Sequence, residues 1–192
     1  ATEAAQPQAT NPFFAASTLP FQMPPFDQIQ DAHYAPALEK GMAEQRTEID
    51  LIAANPEAPT FENTIVALEQ TGEILTRVSA VFFNLVGANT NPEMDRVDAE
   101  FAPKLAAHLD AITLDPKLFQ RIKTLHEARA TLGLDAESTR LLERYYTDFV
   151  RAGANLSDAD KTRLKAMNAE LATLATTFGQ NVLKEVNASA VL

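Results

Sequence analysis

The chain has 192 residues, 26 acidic against 16 basic side chains, a net charge of −10, no cysteine and 46% apolar residues. The charge argues against non-specific nucleic-acid binding, which depends on Lys and Arg, and against docking on an anionic bilayer. The missing cysteines remove disulfides, thiolate metal ligands and a Cys nucleophile, and no apolar run approaches the ~20 residues that span a bilayer.

A domain of this length buries roughly 70% of the surface its unfolded chain exposes, so independent folding is feasible. An acidic surface suits basic peptides, although plain solubility is the simpler reading.

Residues 1–10 are small and polar and read as a flexible leader. Two origins fit: the mature end left after removal of a signal peptide, or a trimmed boundary. The reading leans to export, and so to the periplasm over the cytoplasm. Residues 11–30 are rich in Pro and Phe, and the prolines forbid a regular helix. The expectation is an extended strap pinned by Phe13, Phe14, Leu19, Phe21 and Phe26. A Pro-rich ligand for a small recognition domain is the alternative.

Residues 31–192 read as a helical domain of about six helices, giving an all-α fold. The first runs from about Asp31 to Ala54 with Tyr34, Leu38, Met42, Ile49 and Ile52 on one face, and Asn55-Pro56 stops it. The second is capped by Thr60 and carries an apolar stripe through Phe61, Ile65, Leu68, Leu75, Val78, Phe82 and Leu85 as one long helix to Gly87. The third starts at Asn91-Pro92, and Pro103 inside it predicts a kink or a break. The fourth starts at Asp115-Pro116 and stops at Gly133. The fifth is capped by Asp135 and closed by Gly153. The sixth is capped by Ser157, with Asp160 in a weak capping box, and runs near thirty residues to about Val186. Its stripe is Leu164, Met167, Leu171, Leu174, Phe178, Val182 and Val186. Alternating strand patterns and hairpin turns are missing.

Three histidines are present, His33, His108 and His126. A helical zinc site needs two imidazoles one turn apart, and no pair here has that spacing. His126-Glu127 begins like such a motif, but its second position is Ala130, so a surface helix with ordinary charges is expected. His33 is explained by capping and solvation near a helix start, and His108 by partial burial beside an apolar stripe. Glu44, Glu48 and Asp50 offer carboxylates, but a solvated face is the expectation, with Glu44 and Glu48 mildly repelling. Nucleophile-elbow, Walker and dinucleotide glycine patterns are also missing.

Four stretches in order carry a family resemblance. They are Asn11-Pro-Phe-Phe through Leu19-Pro-Phe to Pro24-Pro-Phe-Asp-Gln-Ile29; Pro59-Thr-Phe-Glu-Asn-Thr-Ile-Val-Ala-Leu-Glu69; Phe82-Phe-Asn-Leu85 with Thr90-Asn91; and Phe149-Val-Arg-Ala-Gly-Ala-Asn-Leu-Ser157 leading to Asp160-Lys-Thr-Arg-Leu-Lys165. Together they resemble the N-terminal region of the thimet-oligopeptidase-like zinc metallopeptidases, nearest the bacterial peptidyl-dipeptidases. The resemblance implies two helical halves flanking a deep channel, with zinc on the C-terminal side. It also implies cleavage of short unstructured peptides, with dipeptides released from the C-terminus. The helices here would supply one channel wall, with the C-terminal catalytic half as partner. The zinc, its water and the general-base Glu would come from beyond Leu192. No position here matches the family's chemistry, so no catalytic, cofactor-binding or metal residue is assigned, and the segment alone is expected to be inactive.

The resemblance further implies exposed apolar faces where the missing half would sit, and self-association through them. Tyr145, Tyr146 and the C-terminal half of the last helix are the candidates, although both tyrosines fit a core equally well. The competing reading is a free-standing helical module that binds a peptide or protein without turnover. A self-sufficient hydrolase lacks any recognisable motif.

Overall fold

A computed structural model describes residues 11–189. The leader at residues 1–10 lies outside the described residues. The described chain is all helix and loop. Its helices are α1 (Tyr34–Ala53), the short α2 (Ala67–Glu69), α3 (Glu73–Asn89), α4 (Pro92–Thr113), α5 (Pro116–Ala128), α6 (Ala136–Arg151) and α7 (Asp158–Ala188). None is long and apolar enough to cross a membrane.

Local chemistry sets the starts. The side chains of Thr60, Asn91, Asp115, Asp135 and Ser157 each accept a backbone N–H from the first turn that follows. Each bond satisfies a donor that a helix leaves orphaned. Asn91 caps α4 at two amides, Glu93 N and Met94 N, and donates 2.9 Å to Asp31 Oδ2. Asn91→Ala is expected to lower stability by about 1 kcal/mol. Urea unfolding checks this, and an unchanged midpoint would contradict it.

Two apolar cores sit at the two ends of α1. The N-terminal end (Tyr34, Ala37, Leu38) packs with Phe13, with Val78, Val81 and Phe82 of α3, and with Met94, Val97 and Phe101 of α4. The C-terminal end (Ile49, Ile52) packs with Ile65 and Leu68, with Leu118, Phe119, Ile122 and Leu125 of α5, and with Leu142 and Phe149 of α6. No residue of α7 belongs to either core.

Three expectations are corrected. The second predicted helix is not one rod. A π-helical turn (Phe61–Val66) passes into α2, the chain breaks at Gly72, and α3 starts afresh. Gly72 adopts φ 74°, a left-handed conformation that glycine adopts at little cost, and a Cβ there would collide with the Gln45 side chain. Of the kink or break expected at Pro103, the break does not occur: one helix runs from Pro92 to Thr113.

The strap has one anchor, not five. Phe13 is buried, lies 5.5 Å from the Tyr34 ring and has its carbonyl held by Arg77 Nη1 at 2.6 Å. Phe14, Leu19 and Phe26 are exposed, and Phe21 is 99% exposed. The strap also forms two short 3-10 turns, Pro12–Phe14 and Pro20–Gln22, each with Pro at its first position.

Candidate functional site

The three histidines lie in three separate settings. His33 Nδ1 accepts the Gln30 N–H at 3.0 Å, and its carbonyl accepts from Asn11 Nδ2 at 2.8 Å, so it locks the start of α1 to the strap. His108 sits on α4 with Nε2 2.7 Å from Gln45 Oε1 of α1. An amide oxygen only accepts, so Nε2 carries the proton. Burial, and then Arg46, hold the His108 pKa below the usual imidazole value.

His126 differs from its expectation. It is not a plain surface residue: its ring stacks on Tyr146, centroids 3.9 Å apart and 6° from parallel. Burial foremost, then Arg129, lower its pKa against the opposing pull of Glu143 and Glu127. Phe119 continues the stack from Tyr146 to Phe149. That places Tyr146 against the core. Tyr145 is also partly buried there, and its hydroxyl donates to Glu69. Burial and then the Glu69 carboxylate push its pKa well above the usual phenol value. Both tyrosines therefore serve packing and do not form an open apolar face.

Both imidazoles are folded with a depressed pKa, so the unfolded chain binds their protons first as pH falls. Stability is full above the ordinary histidine value of 6.5 and declines as pH drops through it towards the folded values. The urea midpoint is expected to fall between about pH 7.5 and about pH 5.5, and less steeply in the double variant H108Q/H126Q. Equal slopes would contradict this.

The carboxylates expected on a solvated face have partners. Glu44 pairs with Lys40, Asp50 pairs with Arg46 at 2.7 Å, and Glu48 accepts the Gly72 N–H at 2.8 Å. Glu48 thus holds the break before α3. The sequence reading also missed Arg121, which is buried. Its guanidinium donates to Asn55 O and Glu57 O at 3.0 Å each, to Asn63 Oδ1 at 2.8 Å and to Thr64 Oγ1 at 3.3 Å. It ties the loop after α1 and the π turn onto α5.

Among the described residues, no three His, Cys, Asp or Glu side chains group so as to hold a metal ion. This donor set does not fit a zinc site.

The remaining feature is α7. It meets α4 through polar groups. Lys161 Nζ donates to Leu114 O at 3.2 Å, Asn168 Nδ2 to Asp110 Oδ1 at 2.7 Å, and Gln180 Nε2 to Asp95 O at 2.8 Å. The apolar stripe read from the sequence is therefore not the packing face. Met167, Leu171, Leu174, Phe178, Val182 and Val186 are all exposed, Leu171 by 65% and Phe178 by 70%. This is the open apolar face expected of the last helix.

No family model matches the chain. Individual proteins do. It is 50% identical over 173 residues to the dipeptidyl carboxypeptidase of Escherichia coli (strain K12), covering 90% of this chain and 25% of that protein. It is 46% identical over 175 residues to the dipeptidyl carboxypeptidase of Salmonella typhimurium, covering 91% of this chain and 26% of that protein. The Escherichia coli oligopeptidase A is 22% identical over 174 residues, covering 91% of this chain and 25% of its own length. The chain therefore spans about a quarter of the length of these relatives. Over nine-tenths of its own length, it is homologous to one segment of the dipeptidyl carboxypeptidase and oligopeptidase A peptidases.

Proposed function

We propose that the chain is the non-catalytic N-terminal domain of a zinc peptidyl-dipeptidase and forms part of the wall of its substrate channel. The observation that carries this is the 50% identity to dipeptidyl carboxypeptidase over 90% of the chain. The parent cleaves short unstructured peptides and releases dipeptides. Its zinc would be held by residues outside those described. What these residues supply is shape: two packed cores fixed by α1, and helices rigid enough to bound a channel. A buried arginine, capped helix starts and stacked aromatics all act on rigidity.

The test replaces the 173-residue matching segment of the Escherichia coli dipeptidyl carboxypeptidase with this chain's own. The chimera is expected to release dipeptides from a blocked tetrapeptide at a rate of the parent's order. A folded, zinc-loaded chimera without turnover would contradict the proposal.

A further inference from the structure

From Ala166 to Leu183 the only charged side chain is Glu170. A helix face that works in water carries charges along its solvent side. Here the solvent side carries Met167, Leu171, Leu174, Phe178, Val182 and Val186, all exposed. At ~1.5 Å per residue the stripe runs roughly 29 Å. Loss of charge at a continuous apolar centre, with polar groups to the side, is the composition of an interface core. The polar side of α7 is already occupied by α4, through Lys161, Asn168 and Gln180.

We infer that this stripe is the docking face for the polypeptide that makes up the other three-quarters of the peptidase. The inference rests on the reading that the chain is one segment of such an enzyme. The relatives carry about three times as much polypeptide as the matching segment, all in the same molecule. Tethering gives that polypeptide a local concentration that no free partner or second copy matches. It also makes the cover permanent, which is the condition under which an apolar face of this length avoids aggregation. The partner surface is then an apolar helical face able to receive a ridge of Leu, Phe and Val.

Hydrogen exchange distinguishes the occupants. Amides of residues 167–186 are measured in the 192-residue chain alone and in the segment-swap chimera. Exchange is expected to slow by about tenfold or more in the chimera. Leu174→Glu with Phe178→Glu is expected to restore fast exchange there while leaving the helicity of the chain alone unchanged, since both positions are exposed. The milder Leu174→Ser serves if the pair prevents the chimera from folding. Equal exchange in chain and chimera would overturn the inference. So would a chain that dimerises in sedimentation equilibrium, with residues 167–186 protected in the dimer and no further in the chimera. A chimera that protects α7 but does not hydrolyse peptides upholds the docking face and counts against the proposed function. One that hydrolyses peptides with α7 unprotected overturns the docking face alone.

Discussion

Gly41→Val is expected to lower stability by about 3 kcal/mol or more. A Cβ on Gly41 would lie 2.7 Å from Leu75 N and 2.8 Å from Leu75 Cα, both backbone atoms of α3. Backbone cannot rotate away as a side chain can, so α1 and α3 must separate where they share a core. Alanine is the informative comparison. Helix propensity alone favours Ala over Gly by about 1 kcal/mol, which would make Gly41→Ala stabilising. Overpacking costs about 1–3 kcal/mol, so the clash wins and Gly41→Ala is expected to destabilise as well. The order Gly above Ala above Val in urea midpoint supports the close approach. Ala above Gly would contradict it.

Arg121→Met is expected to cost about 3 kcal/mol. Methionine keeps much of the volume but leaves the carbonyls of Asn55 and Glu57 without their donor, while Asn63 Oδ1 still accepts from Thr60 N and the Thr64 hydroxyl. Each buried acceptor left alone costs about 1–3 kcal/mol, reduced where water can reach it. Lysine keeps the charge but lacks the planar fork that reaches the loop and the π turn at once, so Arg121→Lys recovers only part of the loss. Thermal unfolding checks the pair, and Arg121→Lys as stable as the parent would show that charge and not geometry holds the loop. The damage is expected to be local, with amides of residues 55–66 losing protection before those of α3.

The helix starts were legible because capping is local. Thr60, Asn91, Asp115, Asp135 and Ser157 act within a turn of themselves, and the structure uses all five. What failed depends on distant partners. The apolar stripe through Leu68 and Leu75 stays in phase across Gly72, so the pattern conceals a break held by Glu48 and Gln45 of another helix. Phe13 and Phe21 look alike in sequence. Only Phe13 finds a slot, beside Tyr34, while Phe21 points into water. Arg121 reads as a surface charge on an amphipathic helix until the carbonyls of another segment are brought over it.

The reading of α7 combines both lessons. Periodicity found its apolar stripe correctly, but periodicity cannot name the partner. Within the described residues the helix packs by its polar side and leaves the stripe open. The same limit applies to chemistry. The histidine spacings ruled out a helical zinc motif, yet only the structure showed what each imidazole does: one fixes the strap, one bridges α4 to α1, and one stacks on Tyr146.

The central claim is that these residues supply a scaffold for peptide cleavage and none of its chemistry. The most direct measurement is dipeptide release from a blocked tetrapeptide by the purified 192-residue chain, with and without added zinc. The account expects no turnover in either condition. Zinc-dependent release that follows the chain through purification would contradict it.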